Sequence, residues 1–109
     1  MRKRQAPRAN HYRRGRSAEY RVRDIFIKRG FEVIRSAGSK GRFDLIAIDW
    51  TRGEIFFLQV KSGKSATREA NSVARQVRLP AESLRVIFQS WGISPRGQFV
   101  RTIKGGSNE

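Results

Sequence analysis

The sequence predicts an α/β domain in which a central mixed five-stranded sheet is flanked by helices, with the element order α-β-β-β-α-β-β. Three observations lead there. Two segments, residues 17–29 and 67–79, repeat apolar residues at helical spacing. Five short runs rich in Val, Ile and Phe are bounded by Gly, Ser and Pro. One adjacent pair of these runs, FDLIAID and EIFFLQVK, is apolar at odd and even positions alike, as strands covered on both faces must be.

Taken in order, Ser17 is placed to cap the first helix and Gly30 to end it. Ala18, Val22, Ile25, Phe26 and Arg29 mark its inward face, with Glu19 at that face's edge. Asp24 lies about 140° around the helix from Glu19, four residues before Lys28, as an exposed ion pair would. FEVIRS (31–36) reads as a short strand and AGSKGR (37–42) as a loop. FDLIAID (43–49) and EIFFLQVK (54–61) then form a hairpin around WTRG.

If Asp49 faces Glu54, Ile48 faces Ile55, Ile46 faces Phe57 and Asp44 faces Gln59. Alternation puts Asp44, Ile46 and Ile48 on one face with Ile55, Phe57, Gln59 and Lys61. Phe43, Leu45 and Ala47 share the other face with Phe56, Leu58 and Val60. The second helix, from Thr67 to Leu79, packs through Ala70, Val73, Ala74 and Val77, and Pro80 terminates it. Its Arg68, Arg75 and Arg78 fall outside the packed stripe. SLRVIFQSW and QFVRTI are the last two strands, around ISPRG. The chain divides into a basic arm (1–16), one domain (17–104) and a tail (105–109); 109 residues suffice for one core and not for two.

With 24 Lys and Arg against 9 Asp and Glu, the net charge is +15, and self-repulsion of that size calls for a polyanionic partner. Nucleic acid fits better than a membrane surface, because the charge is rich in Arg, the better bidentate phosphate ligand. No apolar run is long enough to cross a bilayer, and MRKRQAPRANHYRRGR is not followed by the apolar stretch of a secretory signal. The absence of Cys removes disulfides and thiolate metal sites and leaves the compartment open, with the cytoplasm as default. Arg13, Arg14 and Arg16 in the arm are candidates to follow phosphates, the alternative being a solvated tail. In the 37–42 loop the glycines would let backbone N–H groups approach a phosphate, with Lys40 and Arg42 adding charge. Lys64, in the SGKSA loop, joins the candidate DNA contacts. Trp91 either packs on the sheet or stacks on a base.

An unpaired charge inside a strand is expensive, so Asp44 and Lys61 call for a partner, a metal or a task. Metal-assisted phosphodiester hydrolysis supplies one. Mg²⁺ takes hard oxygen ligands and keeps several waters, so Glu19, Asp44, the Gln59 side-chain carbonyl and the Val60 backbone carbonyl make a sufficient set. The ion would polarise a phosphoryl oxygen and acidify a bound water. Lys61 would orient that water or offset charge developing on the phosphate.

GRSAEYRVRDIFIKRGFEVIRS, RSAGSKGRFDLIAI and LQVKS together resemble the archaeal-type Holliday junction resolvases of the PD-(D/E)XK nuclease superfamily, over about residues 15–62. The resemblance implies a restriction-endonuclease-like three-layer core. It also implies an endodeoxyribonuclease that resolves four-way DNA junctions by paired nicks, with Mg²⁺ (replaceable by Mn²⁺) as cofactor and no small-molecule cofactor. By position, Glu19, Asp44 and Lys61 match the family's helix acid, metal-binding Asp and catalytic Lys, and Gln59 takes the place of its Glu. Arg35, Ser36 and Ser39 match the RSAGS segment, which lies beside the family's active site and contributes to DNA contact or cleavage. A junction has two symmetry-related scissile phosphates, so a C2 homodimer is expected.

Two departures stand out: Gln59 removes a negative charge that would help hold the metal, although other branches of the superfamily carry Q-x-K. Residues 67–79 also lack the aromatics that the family places on its second helix, so the dimer interface differs or the homodimer is absent. A nuclease of restriction or repair type would share these active-site residues, and a catalytically inactive branched-DNA-binding protein would keep fold and charge without the metal.

Overall fold

The computed structural model describes residues 6–36 and 43–105, with the backbone alone for 6–14. Two helices and five strands follow in the expected order: α1 (Ala6–Lys28), β1 (Glu32–Arg35), β2 (Leu45–Asp49), β3 (Glu54–Ser62), α2 (Ala66–Arg75), β4 (Val86–Ser94) and β5 (Gly97–Lys104). The sheet is ordered β1-β2-β3-β4-β5. β3 and β4 are parallel, and the other three neighbouring pairs are antiparallel. A parallel pair needs a long crossover, and α2 supplies it between β3 and β4. The mixed sheet between helices is compatible with the restriction-endonuclease-like architecture.

α1 begins at Ala6, well ahead of Ser17, which therefore lies inside the helix and does not cap it. Ala and Arg are good helix formers, and Pro7 is tolerated in a first turn, so the basic segment extends the helix. The other end is as expected. Gly30 adopts a φ of 93°, its N–H bonds Ile27, and the N–H of Phe31 reaches back to Phe26. These two bonds form a Schellman stop, and the Phe26 and Phe31 rings meet edge to face at 5.1 Å as its apolar clasp. Asp24 is exposed but pairs with Arg23, at 3.2 Å, rather than with Lys28.

The β2–β3 register is the expected one from Asp49↔Glu54 to Leu45↔Leu58. Its turn is shaped by Asp49, whose Oδ1 accepts the N–H groups of Thr51 and Arg52, and by Gly53 at φ 69°. α1 packs on one sheet face, where Ala18, Val22 and Phe26 meet Leu45, Ala47, Leu58, Val60 and Trp91. α2 packs on the other through Ala74, joined by Val77 just past its end, against Phe88 and Ile103. Trp91 is buried, its Nε1 donating to Gln89, so it belongs to the core and not to a base-stacking surface.

Two expectations about this region are corrected. α2 ends at Arg75 rather than Leu79: residues 76–77 close with i→i+3 bonds, and the chain straightens toward Pro80, whose ring disfavours helical geometry in the residue before it. Val77 and Leu79 still pack against the α2-side core. Phe43 does not share a face with Leu45. It packs against Phe57 and Phe88 on the α2 side, at ring separations of 4.7 and 5.8 Å. Two residues separated by one position reach opposite faces only if alternation breaks between them, and the break is a bend at Asp44.

Candidate active site

The bend at Asp44 takes that residue out of the ladder. Its N–H bonds the carbonyl of Leu58, one residue short of the Gln59 it would face in regular register, and its carbonyl accepts from Ser36. Its Oδ2 accepts the backbone N–H of Val60 at 2.8 Å. The expected Asp44↔Gln59 pair is therefore absent, because the side chain of Asp44 occupies the place of a ladder partner. The carbonyl of Val60 points to the same side of β3 as its N–H, toward the Asp44 carboxylate, because a strand residue presents both groups in one direction.

Glu19 approaches from α1. It is half-buried, and its Oε1 accepts from Nε of Arg35 at 3.0 Å. Arg35 ends β1 on the face of Val33, which packs toward α1, and its guanidinium also lies 5.4 Å from the centroid of Tyr20. The same face of a short strand thus alternates core and site. Lys61 bears electrostatically on Asp44 from β3.

Both carboxyls of the site bind their protons more tightly than free ones do. Burial pushes the Asp44 carboxyl above its ordinary value, opposed by the Val60 N–H and by the charges of Lys61 and Arg35. Glu19 is also raised, first by burial and then by the negative charge of Asp44, against the pull of Arg35 and Arg16. A carboxylate whose proton affinity is raised by burial and by a neighbouring carboxylate, as that of Glu19 is by Asp44, is stabilised as an anion by a nearby positive charge. Among the described residues no three His, Cys, Asp or Glu side chains are grouped as a metal cage. The donors that fit a hard cation are the two carboxylates and the Val60 carbonyl, a small set suited to an ion that keeps several waters.

Glu19 with Arg35, and Asp44 with Val60, are joined by hydrogen bonds, and Lys61 acts on Asp44 through its charge; Gln59 is less closely tied. Its strand partner is Ser90, whose hydroxyl bonds the Ala70 carbonyl of α2, so Gln59 faces the α2 side. No bond joins its side chain to Asp44 or Glu19. Ser36 is exposed at the end of β1, and Arg16 is an exposed residue of α1. Lys64 follows β3 in the loop before α2 and lines a cavity of about 680 Å³ between α1 and that loop. Ser39, Lys40 and Arg42 lie outside the described residues, as do the side chains of Arg13 and Arg14. The Arg35–Glu19 pair was not read from sequence. Its signal was the parity of Arg35 with Val33 in β1, which places the guanidinium against α1.

The mixed sheet between two helices, with an acid at a bend before β2, a lysine on β3 and an acid on α1, is compatible with the restriction-endonuclease-like class of folds. Residues 10–76 match the model of the archaeal Holliday junction resolvase (Hjc) family, and the chain belongs to that family. It is similar to the crossover junction endodeoxyribonuclease Hjc of Methanocaldococcus jannaschii, with 47% identity over 51 residues. The match covers 47% of this chain and 36% of that relative, so it spans about a third of the relative's length. No solved structure matches.

Proposed function

We propose that the chain is a structure-selective endodeoxyribonuclease that resolves four-way DNA junctions by paired nicks, with Mg²⁺ as cofactor and Mn²⁺ as a substitute. The observation that carries this is that Asp44 bears electrostatically on Glu19 of α1 and is borne on by Lys61 of β3, all within the segment matched by the family. Glu19, Asp44, the Val60 carbonyl and, after a side-chain rotation, Gln59 are the residues to hold the ion. When bound, the ion polarises the scissile phosphate and lowers the pKa of water. Lys61 orients the nucleophilic water or offsets charge on the phosphate. Arg35 neutralises Glu19 in the free protein and can turn to the backbone of the DNA once a cation replaces it. Arg13, Arg14, Arg16, Ser36, Ser39, Lys40, Arg42 and Lys64 are assigned to phosphate contact. Two scissile phosphates related by symmetry call for a C2 homodimer, and the substrate places the protein in the cytoplasm.

The small carboxylate set and Gln59 also support a second reading, a branched-DNA-binding protein that does not cut. A general DNA nuclease would use the same residues. A nicking assay separates the three, using a synthetic four-way junction and a linear duplex of the same sequence, with Mg²⁺ or EDTA, for wild type and Asp44→Asn. Paired Mg²⁺-dependent nicks in the junction alone, reduced about 10²–10³-fold by the substitution, are expected. Cutting of both substrates indicates the general nuclease, and binding without cutting the inactive one.

A further inference from the structure

The basic residues of α2 lie outside the site just described. Arg68, Asn71 and Arg75 recur at i, i+3 and i+7, which is one face of the helix, opposite the buried Ala66, Ala70 and Ala74. Lys64, in the loop before the helix, continues the row, and these residues with Ser65 and Ser72 line a shallow groove of about 610 Å³. The groove shares Lys64 and Ser65 with the larger cavity beside α1, so the two form one track leading from the end of β3 along α2.

The chemistry of the groove is one-sided. No carboxylate lines it, and none pairs with Lys64, Arg68 or Arg75 among the described residues. Glu69, the acid of α2, lines the other cavity. Arg101 of β5 donates to Asn71 Oδ1 at 2.8 Å, which leaves the Asn71 amide N–H groups to donate outward. Arg68 is braced by the hydroxyl of Ser65 at 3.0 Å. Arg68, Arg75 and the oriented amide on the helix face, with Lys64 in the loop before it, make a row of donors without an acceptor charge. From Arg68 to Arg75 the helix rises about 10.5 Å, about the axial length of three phosphate-to-phosphate steps on one strand of a duplex, at roughly 3.4 Å each.

We propose that this face of α2 is a second backbone track, which holds one duplex arm of the DNA while another part of the substrate occupies the Asp44 site. The proposal rests on the reading of the chain as a DNA-binding protein and adds to it the surface that grips the arm. Contacts of this kind carry no base information, so the track binds arms of any sequence.

The test is equilibrium binding of the full chain to a four-way junction and to a linear duplex, by fluorescence anisotropy in EDTA at 50–200 mM salt. Arg68→Ala/Arg75→Ala is compared with wild type and with Arg68→Lys/Arg75→Lys. Removing two phosphate contacts should lower the slope of log K against log salt by about 1.8 for both DNAs, with weaker binding at every salt concentration. The Lys pair should restore the slope, because charge and not fork geometry sets it. Both positions are exposed, so unchanged melting temperatures are expected and exclude a folding defect. A slope equal to wild type in the Ala pair, or a loss that the Lys pair does not restore, overturns the proposal. Because EDTA removes the cutting reaction, failure of the wild type to nick junctions would count against the nuclease reading and leave this result standing.

Discussion

The backbone N–H of Val60 donates to Asp44 Oδ2 at 2.8 Å, where a regular hairpin would have carried a strand-to-strand bond. A single bend thereby holds a carboxylate against β3, where its charge bears on Glu19 and that of Lys61 bears on it. The bond also holds the carboxylate in place before any ligand arrives, which lowers the cost of ordering it on binding.

Gln59→Glu adds a third carboxylate on the strand that carries Lys61. Affinity for a hard divalent cation rises with ligand charge, so the Mn²⁺ dissociation constant by calorimetry should fall roughly tenfold, about 1.4 kcal/mol. The metal-free variant should melt lower than wild type, because the new charge is unneutralised there. An unchanged dissociation constant would remove Gln59 from the ligand set.

Arg35→Ala leaves Glu19 half-buried without its partner. Loss of a charge-assisted bond in such a place costs about 1–3 kcal/mol, read as a lower denaturant midpoint with an unchanged m-value. The same variant should bind Mn²⁺ more tightly, since the cation no longer competes with a guanidinium for Glu19. Weaker metal binding in the variant would contradict this arrangement.

The proton affinities of Glu19 and Asp44 set the direction of a pH effect. Both folded carboxyls are raised from ordinary values of 4.5 and 3.8, so across that window the folded state holds more protons than the unfolded state. Their contribution to stability is full below the unfolded values and is lost as pH rises through the folded ones. In EDTA, replacing both by Glu19→Gln/Asp44→Asn should therefore raise the melting temperature more at pH 7 than at pH 4. Mn²⁺ at a hundred times its dissociation constant should stabilise the wild type at pH 7 by about 2.7 kcal/mol and the double variant far less.

Gly92 on β4 faces Lys61 across the parallel pair, and a Cβ there would lie 2.8 Å from the carbonyl oxygen of Ala66 at the start of α2. Gly92→Ala forces helix and strand apart at a cost of about 1–3 kcal/mol, measured by chemical denaturation. Full stability in the variant would show that α2 can shift without penalty.

The class of fold, the order of elements, the β2–β3 register and the stop at Gly30 were legible in the sequence, since each depends on local propensity, turn chemistry or the period of apolar residues. Asp44 and Lys61 stood out because a charge among strand formers violates the pattern, and Glu19 because it lies at the edge of a helix's inward face. The start of α1 ahead of Ser17 and the end of α2 before Leu79 were not legible, because cap residues permit a boundary without enforcing it. Nor was the bend at Asp44, or the turn of Phe43 onto Phe57 and Phe88. Alternation assumes an unbroken strand, and only the competition between packing Phe43 into the α2-side core and bonding Asp44 to Val60 breaks it. The residue types of the site were thus written in the chain, whereas the pairing of Arg35 with Glu19 and the common orientation of their neighbours required α1 and β1 to be packed together.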